Sequence, residues 1–322
     1  MTNSPNIVLL DRGSLSWDAL DTEAFNKAFP HCTMYEHSAD HEVAKRIKDA
    51  QIVLSNKGVI SAEAIKGASQ LQCISVLATG YNCVDLDAAR KAGVTVCNVS
   101  GYSTPSVVQH VFMFITMLAT SAYHYISDVK QGQWQKSTQF CLLDYPMHDI
   151  AGKTLGIIGY GNLGSKVAHV AESFGMNVMI AERKGFDILR DGRSAFDDVI
   201  TQSDYITIHC PLNDDTHNMI TRTELQAMQS SAFLINTARG GIVNEADLRD
   251  ALLASDIAGA AVDVLSVEPP SQGNPLLEQK LDNLLITPHT AWAPLDAQQR
   301  LLDKTIGNIK AFLDGTPVNV VS

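Results

Sequence analysis

The chain lacks the signatures of several common functions. It has no C-x-x-C pair, no H-E-x-x-H spacing and no acidic cluster beside its ten histidines, so no metal site is expected. It has no G-x-S-x-G elbow, the turn that presents the serine in α/β hydrolases. Cations are scarce: 24 Lys and Arg stand against 35 Asp and Glu, a formal net charge of −11. Phosphate backbones need clustered Lys and Arg, so no nucleic-acid partner is expected. The N-terminal MTNSPNIVLLD lacks a basic start, and Asp11 closes its apolar run, which argues against a signal peptide. Six cysteines (32, 73, 83, 97, 141 and 210) are scattered, several inside apolar runs, and read as reduced thiols of a cytoplasmic protein. From Ser103 to Ser127 there is no charged residue at all, and VFMFITML at 111–118 is strongly apolar. Length alone would permit a membrane span. However, Gln109, His110, Thr116, Thr120, Ser121 and His124 recur through it without basic flanks, so a buried helix at a domain or subunit contact is expected instead.

What is present is a rhythm. The length of 322 residues points to two domains, and 45% hydrophobic with 18% charged residues is ordinary for a globular enzyme. Short apolar runs (7–10, 52–55, 73–78, 94–98) alternate with helix-like stretches such as 24–29, the pattern of a parallel sheet with crossover helices. A polar connection at 132–149 follows the uncharged helix, and its aromatic and Leu side chains predict a docked segment. From Lys153 the alternation restarts at TLGII, 177–182, 205–210, 232–237, 257–264 and 283–288. The predicted fold class is α/β, with two doubly wound, Rossmann-like parallel-sheet domains.

GYGNLG at 159–164 follows one strand-like run, opens a helix-like one, and precedes a strand that ends in Glu182. Alone the pattern is a common glycine turn; in this setting it reads as a dinucleotide fingerprint. Gly159 permits the tight turn, Gly161 lets a pyrophosphate approach the backbone beside Asn162 and Leu163, and Gly164 lets helix and strand pack closely. Glu182 would accept hydrogen bonds from the adenosine ribose and repel a 2′-phosphate, which favours NAD(H) over NADP(H). Arg183 and Lys184 are cations that could accommodate that phosphate. A solvated strand-end acid is the plainer reading of Glu182.

NTARGGIVNEADL (236–248), AVDVLSVEPP (261–270) and ITPHTAW (286–292) are more specific. With the fingerprint, LATGYNCVD (77–85) and NVSGYSTPSVVQHV (98–111), the chain resembles the D-isomer-specific 2-hydroxyacid dehydrogenases over nearly its whole length. The resemblance implies a catalytic Arg239, Glu268 and His289. Reduction of a 2-keto acid needs such groups. A histidine supplies the proton to the carbonyl oxygen, a carboxylate fixes its tautomer and favours its charged form, and a guanidinium clamps the substrate carboxylate. Taken singly, each has a structural alternative: an ion-pair partner, a surface acid, a core histidine.

The resemblance further implies that Ala78, Thr79 and Gly80 cradle the carboxylate and that Trp292 walls the substrate pocket. Asp263 would meet the nicotinamide amide, with Thr104, His209, Pro211, Thr237 and Ala238 lining the cofactor cleft. Residues 1–101 with 290–322 would form the substrate domain, and 102–289 the NAD-binding domain. The active site would lie in the cleft between the two, and the chain would form a homodimer. Within the family, 137–164 and the PHTAWAP ending are most similar to glycerate dehydrogenases, also called hydroxypyruvate reductases. These imply hydroxypyruvate as substrate, with glyoxylate, pyruvate and other short 2-keto acids as alternatives. A rival of another class is the NADH-binding corepressor, which shares the fold and the same three residues without turnover.

Overall fold

The computed structural model describes residues 5–322. These divide into two compact units, one holding the chain up to Pro105 with Trp292–Ser322, the other Ser106–Ala291. Among the described residues each unit carries one all-parallel sheet, and all strands but β2 fall in the short apolar runs that the sequence marks out.

In the first unit the strands are β1 (Ile7–Leu9), β2 (Thr33–Met34), β3 (Ile52–Ser55), β4 (Cys73–Val76) and β5 (Thr95–Cys97), in the order β2-β1-β3-β4-β5. Residues of β3 and β4 are buried throughout, as expected where helices cover both faces of a parallel sheet. Side chains alternate between the faces: Val8, Val53 and Ile74 join Val43, Ile47 and Ile65 on one side. Ile7, Leu9, Ile52 and Leu54 join Phe25, Leu301, Leu302 and Ile306 on the other. The C-terminal helix Leu295–Leu313 thus completes this unit, and the last residues are stitched to β5 by Val321 N–H donating to Val96 O at 2.8 Å. Asp11, just past β1, is 5% exposed, and its carboxylate accepts from the backbone N–H groups of Asn56, Lys57 and Gly58. One carboxylate therefore fixes the turn that follows β3. The two-residue β2 lay below what the sequence pattern could mark.

In the second unit the strands are β6 (Thr154–Ile158), β7 (Asn177–Ile180), β8 (Tyr205–Ile208), β9 (Phe233–Asn236), β10 (Gly259–Val262) and β11 (Leu284–Ile286). Their order is β11-β10-β9-β8-β6-β7, so the direction of winding reverses between β6 and β8. Connections leaving these two strands part to opposite sides, which opens a crevice at their carboxyl ends, the place where open α/β sheets bind ligands.

The uncharged helix Thr104–Thr120 lays Val107, Val111, Phe114 and Ile115 on the face of this sheet that presents Leu155, Ile157, Ile235 and Ala261. Its lack of charge follows from that burial. No single helix among the described residues is long and apolar enough to cross a membrane, and the helix Ala122–Lys130 that follows is bent 71° from it. The burial expected for 132–149 is not found within the chain: Phe140 and Leu143 are 89% and 73% exposed, and Trp134 is half exposed. The physical reason is local. This stretch is held to the preceding helix at Tyr145, with Tyr125 Oη donating to Tyr145 O at 2.7 Å and His124 stacked on the Tyr145 ring, while Trp134, Phe140 and Leu143 stay outside that contact.

Candidate active site

The glycine turn leaves β6 at its carboxyl end, beside the end of β8. Gly159 has φ +94, and a Cβ there would lie 2.6 Å from Cys210 N; a Cβ on Gly164 would overlap the carbonyl oxygen of Gly159. Both positions therefore exclude any side chain, and the helix Asn162–Ser173 can start directly over the strand. Its N-cap, Gly161, provides no side-chain cap, its first turn holds no acid, and a Cβ on Gly161 would meet nothing within 4 Å. That leaves open space at the positive end of the helix dipole.

Two buried polar atoms border the same carboxyl edge without a hydrogen-bond partner: His209 Nδ1 after β8 and Thr237 Oγ1 after β9. The other nitrogen of His209 lies 3.0 Å from Thr207 Oγ1, and burial pushes its pKa down to about 4, so the ring is neutral at pH 7. Buried orphans of this kind are rare without a ligand or water to meet them. The uncapped helix start, the open space at Gly161 and the two orphans fit a dinucleotide phosphate and its neighbouring ribose. Pro211 follows on the surface, its carbonyl accepting from Thr216 Oγ1 at 2.7 Å.

Glu182 ends the strand region after β7 and is 3% exposed. Arg190 forks onto it: Nε donates to Oε2 at 2.7 Å and Nη2 to Oε1 at 2.5 Å, while the backbone N–H groups of Arg183 and Arg190 donate at 2.8 and 3.2 Å. The Arg190 guanidinium, then these backbone donors, hold the Glu182 carboxyl down at about 2. The sequence offers no spacing rule for this partner eight residues downstream.

Next to this crevice, β9 leads into Thr237-Ala238-Arg239. Asn236 caps the turn in both directions, its Oδ1 accepting from Ala238 N at 3.0 Å and its Nδ2 donating to Arg239 O at 2.9 Å. The guanidinium donates to Ala238 O at 2.7 Å. Gly240 is fixed by a close approach, since a Cβ there would overlap the Leu265 carbonyl. The Arg239 turn is thereby pressed against the loop after β10 that carries Glu268.

Glu268 reaches His289 there, with Oε2 2.5 Å from Nδ1, and its Oε1 accepts from Leu265 N at 2.8 Å. A carboxylate can only accept, so Nδ1 bears the proton and Nε2 is the nitrogen available for proton exchange. The side chains are 26% and 34% exposed, open enough to exchange protons with a small substrate. His289 sits at φ +54, in the left-handed region that few non-glycine residues adopt, and is held there by its N–H donating to Asp263 O at 2.8 Å and Thr287 O at 3.0 Å.

Asp263, 1% exposed, organises the whole histidine segment. Its carboxylate accepts from Thr287 Oγ1 at 2.5 Å, Thr290 N at 2.8 Å and Ala291 N at 2.9 Å, and His110 Nε2 lies 3.6 Å away. His110 also meets Thr287 Oγ1 at 2.9 Å; burial lowers its pKa against the pull of Asp263. Glu245 braces the neighbouring loop through Ser266 and Asn274. The sequence reading gave His110 and Glu245 no role, although both lie inside its motifs at 98–111 and 236–248.

The remaining expected residues lie in the first unit. Ala78 and Thr79 form a turn after β4 held by Val99 N–H donating to Ala78 O and Asn98 Nδ2 to Thr79 O, at 3.0 and 2.7 Å. Gly80 follows, partly exposed, and Thr104 starts the long helix. Trp292 meets the ring of Tyr102 edge-on at 6.4 Å, against that unit's core.

Comparison with known proteins gives the family. Residues 112–291 match the model of the D-isomer specific 2-hydroxyacid dehydrogenase, NAD binding domain. The chain is 45% identical to the glycerate dehydrogenase of Methylorubrum extorquens, with 98% of each chain covered. It is 35% identical to the hydroxypyruvate reductase of Blautia hydrogenotrophica, with 97% of each covered. Among solved structures, a Thermus thermophilus protein superposes with a TM-score of 0.85 at 28% identity, covering 98% of this chain and all of that one. The chain, with its NAD binding domain over residues 112–291, therefore belongs to the D-isomer-specific 2-hydroxyacid dehydrogenase family of oxidoreductases.

Proposed function

We propose that this chain reduces hydroxypyruvate to D-glycerate with NADH as hydride donor. The observation that carries the reading is the Glu268–His289 pair at 2.5 Å, which keeps the Nδ1 proton directed at the carboxylate and leaves Nε2 as the nitrogen that exchanges the reacting proton. Relatives named glycerate dehydrogenase and hydroxypyruvate reductase, alignable end to end, supply the substrate. A bound nicotinamide supplies the hydride to C2 in reduction. His289 Nε2 gives the proton to the carbonyl oxygen and takes it back in the oxidative direction. Glu268 keeps the ring in one orientation and stabilises its positive charge before the proton leaves. Arg239 grips the substrate carboxylate with a planar fork and polarises the carbonyl, and Asp263 holds the backbone on which His289 rides.

The first unit's share in substrate binding is assigned to the Ala78–Gly80 turn and to Trp292. The cofactor is assigned to the Gly159–Gly164 turn, the His209–Pro211 and Thr237–Ala238 ends, Thr104 and Asp263. The outward-facing Phe140, Leu143 and Trp134 fit coverage by a second copy in a homodimer.

The test is kcat/KM with NADH for hydroxypyruvate, glyoxylate, pyruvate and 2-ketobutyrate. A preference of at least about tenfold for hydroxypyruvate supports the assignment. Preference for another keto acid moves the substrate and keeps the mechanism, while tight NADH binding with no turnover supports the corepressor reading.

A further inference from the structure

The adenosine end of the nucleotide crevice differs from what Glu182 alone suggests. An ionised carboxylate offers about four acceptor sites. All four of Glu182 are engaged, two by the Arg190 side chain and two by the backbone N–H groups of Arg183 and Arg190. None is left for a ribose hydroxyl unless Arg190 is displaced. Exposure reverses the roles as well: the Glu182 side chain is 2% exposed and that of Arg190 55%, so an incoming ligand meets the guanidinium. A second guanidinium stands close by. Arg193 donates from Nη1 to Ala181 O at 3.1 Å and lies 5.1 Å over the ring of Tyr160, which belongs to the glycine turn itself. Lys184 is committed elsewhere, to Glu224 at 2.7 Å and Met219 O at 2.8 Å. On a chain of net charge −11, the edge between the glycine turn and the end of β7 is thus faced by arginine.

We infer that Arg190, seated on Glu182, is the residue that selects the cofactor, and that the chain accepts NADPH alongside NADH. This rests on the nucleotide reading of the Gly159–Gly164 turn. A bare acid at this place repels a 2′-phosphate. A neutralised acid with an arginine in front of it repels nothing, and the outer edge of the guanidinium donates equally to a ribose hydroxyl and to a phosphate oxygen. Glu182 is then a positioning residue that holds Arg190 in place.

The experiment is calorimetric titration of the wild type, Arg190→Ala and Glu182→Gln with NADH and with NADPH, read as the ratio of the two Kd values. Wild type should bind NADPH within about tenfold of NADH. Arg190→Ala frees the acid and should shift the ratio at least about tenfold towards NADH. Glu182→Gln removes the charge and should shift it towards NADPH. A wild-type preference for NADH beyond tenfold, an unchanged ratio in Arg190→Ala, or a Glu182→Gln shift towards NADH overturns the inference. A wild type that binds neither nucleotide overturns the nucleotide reading itself.

Discussion

Two carboxylates in the second unit each meet a cationic or protonatable partner at 2.5 Å, and they do opposite things. Glu182 is sealed, its acceptor sites filled and its partner outside. Glu268 is a third exposed and spends one oxygen on Leu265 N–H and the other on His289, whose second nitrogen stays available. The first arrangement locks a charge in place; the second leaves a proton that can move. The chemistry of a carboxylate is thus set by what its partner still has to offer.

Substitutions can break this comparison. The largest effect is expected for His289→Ala, which removes the mobile proton: kcat should fall by about 10² to 10⁴ while the Kd for NADH holds within about threefold, measured by steady-state kinetics and titration. Next, Arg239→Lys keeps the charge and loses the fork, so kcat/KM for hydroxypyruvate should drop by about a hundredfold, and an unchanged value would refute the clamp. Glu268→Gln retains a hydrogen-bond acceptor without the charge. Its kcat should fall by about tenfold while the Kd for NADH holds within about threefold; an unchanged kcat would reduce Glu268 to a spacer.

The remaining tests read stability. Gly240→Ala forces a methyl into the Leu265 carbonyl and should cost about 1–3 kcal/mol, seen as a lowered denaturant midpoint. The smallest effect is a pH slope. His209 is neutral with its pKa at about 4, below its ordinary 6.5, so the unfolded chain binds the extra proton between these values. Its contribution is full above pH 6.5 and fades as pH falls towards 4, and His209→Asn should flatten the Tm profile across that window.

The sheets and the Glu268–His289 partnership were legible in the sequence for different reasons. Strands such as IVLS at 52–55 and TLGII at 154–158 are buried on both faces, so burial writes itself as unbroken apolar runs. Glu268 and His289 stand in motifs that resemble those of a known family, and that resemblance, with no help from periodicity, pointed to them. Arg190 on Glu182 and His110 on Asp263 were not legible, because each pairing is made by the path of a loop or by helix packing and has no fixed offset. Phe140 and Leu143 misled for a related cause: apolar character demands coverage but does not say which chain provides it.

The most direct test of the central claim is the product itself. Protein incubated with hydroxypyruvate and NADH should form glycerate in step with NADH loss, and chiral chromatography should show the D enantiomer alone. L-glycerate, a racemate, or NADH loss without glycerate would contradict the account.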